Sequence, residues 1–446
     1  MRFLPFHNVG NNENEVAIAT GWWKKEMKEA DLPRYKDDYR ALYINTIMPI
    51  VAREDTSRPF VASSPSNGIL SPRENYIGAD PNSALYGDVH FYTTRRFWEW
   101  SNYPSAKFVS EYGFQSWASL HTMAHSLEPA DLRYPLDRAW LHREHSEPWF
   151  NLAEWIGQYL PVPSAGGAAK LADYIYVSQI FQAMSIRTET EFYRRNRAVK
   201  ENGEGGTMGC LYWQLQDIWP TVSWASLEFG GRWKMLHYYV RQMFASTLLT
   251  AWEEDGHFRV AVVRDDHRKE EMFQLQIDLF EWSSLKAIHS KKMDVKTKPF
   301  NVTLVFEEKA DAFLKSAGCT DRKKCLVTVR LADQSGHLIA SNFHLLDWPK
   351  NAVGLKKAKI SVSSVKGPVT DEEGNYVFLI TLTTDAIAPF VWIDFVDTFH
   401  YDGVFSNNGF FFIEPTVNVN FTTRYNTVTV ESVRKSLLVK SIADVN

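Results

Sequence analysis

Two glutamates stand where short apolar runs give way to polar residues: Glu13 in Gly10-Asn11-Asn12-Glu13, and Glu111 in Lys107-Phe108-Val109-Ser110-Glu111-Tyr112-Gly113. Two opposed carboxyl groups are the usual means of cleaving a glycosidic bond, one as acid/base and one as nucleophile. Around Glu111, Phe108 and Val109 predict a buried strand, and Ser-Glu-Tyr-Gly turns the chain at its end. A carboxylate at the C-terminal end of a barrel strand is a catalytic address. The bland alternative is a pair of solvated loop charges, which is what most glutamates are. Metal-assisted and serine-nucleophile hydrolysis lack their signatures: the chain has no His-Glu-x-x-His, Cys-x-x-Cys or Gly-x-Ser-x-Gly run.

The wording around both glutamates changes the odds. Gly10-Asn11-Asn12-Glu13-Asn14-Glu15, Tyr86-Gly87-Asp88-Val89-His90-Phe91-Tyr92, Ser110-Glu111-Tyr112-Gly113-Phe114-Gln115-Ser116-Trp117 and Tyr212-Trp213-Gln214-Leu215-Gln216-Asp217-Ile218-Trp219 follow one another in order. Together they closely resemble the beta-mannosidases of glycoside hydrolase family two, of the animal lysosomal type. The resemblance implies a retaining exo-beta-mannosidase that removes terminal non-reducing β-D-mannose from glycoprotein-derived oligosaccharides. It implies no metal and no organic cofactor. Glu13 aligns with the acid/base and Glu111 with the nucleophile. By the same resemblance Asn12 hydrogen-bonds the sugar's 2-hydroxyl, Tyr92 hydrogen-bonds the nucleophile, and Trp22 and Trp213 wall the pocket. Each aromatic has core packing as its plain alternative. His90 is expected to pack beside the site, Glu15 to be a structural or surface charge, and Asp217 and Trp219 to lie at most on its margin. Two other functions stay open: another family-two β-glycosidase, and a catalytically inactive chain that binds through its C-terminal domains.

Positioning such a pair takes a scaffold. The implied fold class is α/β plus all-β: a partial (β/α)8 barrel carrying strands four to eight, followed by β-sandwich domains of immunoglobulin type. The acid/base would end strand four and the nucleophile strand seven. Because Glu13 lies so near Met1, the resemblance also implies an N-terminally truncated enzyme whose isolated chain does not assemble a working barrel. The periodicity agrees with such a division. Tyr39, Leu42, Tyr43, Ile47 and Ile50 predict a helix from Asp37 to about Ala52, and Val177, Ile180, Phe181 and Met184 a second apolar stripe. Strands are expected at Pro59–Ala62, Asp88–Phe91, Lys107–Val109 and Met208–Trp213, with a helix from about Trp233. Beyond residue 247 the period becomes two: Phe273, Leu275, Ile277 and Leu279 alternate with polar residues, as do Val327, Val329 and Leu331. The expected domains are residues 1–246, 247–352 and 353–446, with a joint at Pro349–Gly354.

Bulk properties bound the reading. With 446 residues, 45% hydrophobic and 23% charged, the chain is an ordinary globular protein of more than one domain. A net charge of −4 gives no electrostatic case for nucleic acid or an anionic membrane surface. No run approaches the ~20 apolar residues of a membrane helix. The first nine residues are too short and polar for a signal peptide, so the lysosome is expected from the resemblance alone. The expected partner is an oligosaccharide, and the oligomeric state stays open. Cys319 and Cys325 are close enough in sequence to bridge, and Cys210 is expected as a free core thiol. Asn301-Val-Thr and Asn420-Phe-Thr are glycosylation acceptors if the chain is secreted.

Overall fold

The computed structural model describes residues 13–25, 28–134, 152–163, 166–198, 200, 202–266, 269–396 and 402–445. The chain divides into two compact units, residues 1–113 with 188–213, and residues 114–187 with 214–446.

The first unit is α/β. A helix at Asn14–Thr20 ends at Gly21, whose φ of 72° gives the left-handed cap that glycine supplies cheaply. A longer helical stretch runs from Leu32 to Glu54, with π-helical turns at Arg40–Ile47. Its predicted apolar stripe is only partly used: Tyr39 is buried, while Leu42 and Ile50 are exposed. Strand β1, Asp88–Phe91, pairs in parallel with β2, Phe108–Tyr112. Residues 208–213 run along the far edge of β2. Met208 N–H donates to Lys107 O, Val109 N–H to Gly209 O, Leu211 N–H to Val109 O and Trp213 N–H to Tyr112 O.

Two strand expectations need correction here. Pro59–Ala62 forms no strand; Phe60 makes only an isolated bridge, and the chain bends at Ala62 and Ser63. Met208–Trp213 is hydrogen-bonded along β2, but Met208, Leu211 and Trp213 are exposed, so it is not a buried strand. Cys210 is accordingly half-buried rather than a core thiol. Among the described residues the strands form open sheets and close no barrel.

The second unit holds most of the helix Ala168–Arg195 and the all-β half of the chain. Val177, Ile180, Phe181 and Met184 are buried as their spacing predicts. Arg194 is buried and Arg195 lies over the rings of Trp100 and Phe192, so these arginines do more than solvate a helix end. A two-residue strand β3, Ser116–Trp117, pairs with β4, Val222–Ser223, and the helix Met235–Met243 follows.

Two sandwiches complete the unit. The first packs β5 (Thr247–Glu254), β6 (His257–Arg264) and β9 (Asn301–Lys309) against β7 (Glu271–Glu281), β8 (His289–Thr297), β10 (Cys325–Ala332) and β11 (Leu338–Leu345). Phe273, Leu275, Ile277 and Leu279 of β7 and Val327, Val329 and Leu331 of β10 point into its core, as strict alternation requires. The second packs β12 (Ser361–Thr370), β13 (Tyr376–Thr383), β15 (Val404–Phe405) and β17 (Thr416–Thr423) against β14 (Ala388–Phe395), β16 (Phe410–Phe412) and β18 (Leu437–Lys440). Phe378, Ile380, Val391, Ile393, Val419 and Phe421 fill it. Cys319 and Cys325 are joined, Cα atoms 6.3 Å apart, and both belong to the core of the first sandwich. Asn301 and Asn420 are exposed. Among the described residues no helix is long and apolar enough to cross a membrane.

Candidate active site

A bulge sets the geometry. Along the β1–β2 pair, Val89 faces Val109 but His90 faces Glu111, so Ser110 is an extra residue. Bulges re-aim side chains and gather beside active sites. This one sets Glu111 opposite His90, and Ser110 Oγ donates to Asp88 Oδ2 at 2.7 Å. β1 is held at its other edge by an amide clamp: His90 N–H donates to Asn82 Oδ1 and Asn82 Nδ2 donates to His90 O, both at 2.9 Å. Gly87 allows the approach before it, since a Cβ there would stand 1.9 Å from Ser66 O.

Glu13 arrives from the helix Asn14–Thr20, which it caps with φ 60°. A non-glycine residue in that region carries strain and marks functional sites. Its N–H donates to Ser64 O at 2.7 Å. One donor atom from each of Glu13, His90 and Glu111 lies within 4.8 Å of the other two. His90 Nδ1 is 3.2 Å from Glu13 Oε1 and 3.4 Å from Glu111 Oε2. Tyr92 donates its hydroxyl to Glu111 Oε2 at 3.1 Å.

The protons around His90 follow from its neighbours. Ser64 Oγ donates to Asp88 Oδ2 at 2.6 Å, and Ser110 already donates to the same oxygen. With its proton on Asp88, Ser64 Oγ is an acceptor for His90 Nε2, 3.0 Å away. The Nε2–H tautomer turns Nδ1 toward the two carboxylates. There it either accepts from a protonated carboxyl or, as imidazolium, offers them a proton. The same three donors have the chemistry to hold a divalent cation.

Burial pushes the Glu111 carboxyl above the usual range; His90 and the Tyr92 hydroxyl pull it back, and Glu13 and Asp88 push it up. The Tyr92 phenol is raised first by burial and then by Glu111. Behind β2, buried Tyr112 hydrogen-bonds Thr190 Oγ1 at 2.7 Å and packs edge-on against Tyr193, which donates to Glu189 Oε1 at 2.7 Å. Full burial holds the Glu189 carboxyl well above its ordinary range, and the Tyr193 hydroxyl pulls it back.

The structure thus gathers Glu13, Glu111 and Tyr92. Trp213 is fixed by its N–H to Tyr112 O, next to Glu111 in sequence, and is 41% exposed. Trp22 stands 45% exposed on the turn after Gly21, with no hydrogen bond or ring contact among the described residues. Asn12 lies outside the described residues. Asp217 is buried and accepts from Ser223 Oγ at 2.6 Å, a structural role; Trp219 is exposed. Sequence reasoning gave no role to Ser64, Asn82, Asp88 or Ser110. Asp88 had one signal, an acidic residue two before His90 inside a run otherwise readable as a strand. Glu15 differs from a surface charge: it is wholly buried and accepts from Gly78 N–H at 2.8 Å.

Comparison with known proteins adds to this geometry. Residues 256–351 match the family described as Mannosidase Ig/CBM-like domain, and residues 355–445 match the mannosidase Ig-fold domain. The chain is 40% identical to a Mus musculus beta-mannosidase over 92% of its own length and 46% of the relative's. It is 38% identical to the Bos taurus beta-mannosidase over 98% of its length and 48% of the relative's. A crystal structure of a Dictyoglomus thermophilum beta-D-mannosidase shares its fold with a TM-score of 0.75 at 21% identity, over 97% of this chain and 47% of that one. The chain spans about half the length of the curated relatives it matches. Collinear similarity of this extent, together with two mannosidase-type domains, makes the chain similar to the beta-mannosidases over the half of their length that it spans.

Proposed function

We propose that this chain carries the reacting carboxylates of a retaining exo-beta-mannosidase acting on terminal non-reducing β-D-mannose of glycoprotein-derived oligosaccharides. The observation that carries the reading is the approach of Glu13 and Glu111 oxygens to within 4.8 Å. Retaining pairs stand ~5–5.5 Å apart and inverting pairs ~6.5–9.5 Å, because only the latter must admit a water. In this reading Glu111 attacks the anomeric carbon while protonated Glu13 donates to the departing oxygen. Glu13 then takes a proton from the water that releases the sugar from Glu111. Tyr92 orients Glu111. Asn12 would meet the 2-hydroxyl, and Trp22 and Trp213 the faces of the ring.

The wider assignments rest on the same reading. Residues 1–246 form part of a (β/α)8 barrel, strands four to eight, with residues 247–352 and 353–446 as the sandwich domains. An acidic, lysosomal compartment suits a site whose neighbouring buried Glu15 keeps its proton up to about pH 7. The test is hydrolysis of nitrophenyl β-mannoside against the β-galactoside and β-glucuronide. Mannoside preference that disappears in Glu111→Ala supports the reading; preference for another glycoside, or activity that survives that substitution, overturns it.

A further inference from the structure

Away from the carboxylates, a crevice of about 550 Å³ opens between the two sandwiches, walled on its third side by the helix Met235–Met243. That is the size range of small-molecule sites, ~300–1,000 Å³. One wall is the outer face of the β8-β7-β10-β11 sheet. Its register sets Lys292, Gln276, Arg330 and Ser341 in one polar row across four strands. The next row, Asp278, Thr328 and Phe343, is covered: Asp278 and Thr328 are buried, and Phe343 stacks on Phe411 of the second sandwich at 3.9 Å between centroids. The floor therefore sets one aromatic contact beside the buried Asp278 and Thr328, and the walls above it are polar.

Arg330 reaches across to Glu414 at 2.6 Å, so both sandwiches hold one ion pair at the crevice. Around it, Gln242, Gln274, Lys292, Ser341 and Asn407 line the space without a side-chain hydrogen bond among the described residues. Thr328 Oγ1 is buried in the wall with no partner. Among the described residues the charged lining is Lys292, Arg330 and Glu414, and two of these neutralise each other. This composition suits neither an anion nor a metal. Planar amides and an Arg–Glu fork present paired donors and acceptors, which match vicinal hydroxyls. Phe410, half-buried at the same crevice, offers an apolar face.

We propose that this crevice is a second carbohydrate-binding site, which takes a neutral oligosaccharide and holds it across both sandwich domains. The inference stands apart from the hydrolytic assignment, because it uses no residue of the carboxylate site. It is tested on the full chain carrying Glu111→Gln, titrated calorimetrically with β-1,4-mannotriose and, separately, with diacetylchitobiose. The expected result is a saturable binding event for at least one probe that weakens about tenfold or more when Ser341→Trp fills the crevice. The paired truncation Gln242→Ala with Gln274→Ala, both on solvated side chains, should weaken it likewise and decides the matter should the tryptophan variant fail to fold. No binding by either probe, or binding unchanged in the truncated pair, would overturn the proposal. Failure of nitrophenyl mannoside hydrolysis in the unsubstituted chain would leave this titration unaffected, so the two readings fail separately.

Discussion

Glu111 sits between opposing influences, and each has a named source. Burial raises its carboxyl, while His90 and the Tyr92 hydroxyl favour the ionised form. A nucleophile works ionised, so kcat/KM should fall as pH drops through its pKa. Tyr92→Phe removes one lowering influence; the acidic limb of the profile should move to higher pH, and activity at the optimum should fall about tenfold, the worth of a lost hydrogen bond to a charged group. An acidic limb that stays in place would separate Tyr92 from the nucleophile. His90 invites a second test. In Asp88→Asn the amide can donate, freeing the Ser64 hydroxyl to turn toward His90 Nε2 and switch the tautomer. Activity should drop about tenfold, the worth of an altered hydrogen bond to the carboxylates, and nitrogen NMR of His90 should report the Nδ1–H form. A tautomer unchanged from the parent would refute the proton assignment.

At the scale of elements, the helix Asn14–Thr20 is pinned by Glu15. Its carboxyl is pushed up to about 7, chiefly by burial and further by Glu74 and Asp88, against the Gly78 N–H that lowers it. The folded state therefore keeps a proton that the unfolded chain loses near 4.5. Stability should decline as pH rises between those values, by about 3 kcal/mol in all. Glu15→Gln should flatten that slope in denaturant titrations at pH 5 and 7; an unaltered slope would show the carboxyl to be solvated. This burial was illegible in sequence, because Glu15 reads as one more charge two residues after Glu13. The sandwiches were legible for the opposite reason: β7 and β10 each bury one face, which writes period two into Phe273–Leu279 and Val327–Leu331. Met208–Trp213 misled because its apolar residues resemble a central strand, yet it is hydrogen-bonded along β2 and leaves Met208, Leu211 and Trp213 exposed. The candidate site was legible as far as Glu13, Glu111 and Tyr92. Ser64 and Asp88 meet only through tertiary folding, 24 residues apart, and no local pattern announces them.

For the whole molecule, exposed apolar residues of the first unit set the expectation. Leu42 and Ile50 lie on one helical stretch with 48% and 43% of their surfaces open, and Leu211 and Trp213 are open by 51% and 41%. Large apolar side chains left open in this way favour association. The 446-residue chain should self-associate in sedimentation velocity, and Leu42→Lys with Ile50→Lys should reduce it; a monomer across the micromolar range would contradict this. The central claim remains the pairing of two carboxylates around one anomeric carbon. Its most direct test is labelling with 2-deoxy-2-fluoro-β-mannosyl fluoride, followed by peptide mass spectrometry. The account predicts a single sugar ester on Glu111, absent from the Glu111→Gln variant. An ester on any other residue, or no covalent adduct in the folded chain, would contradict it.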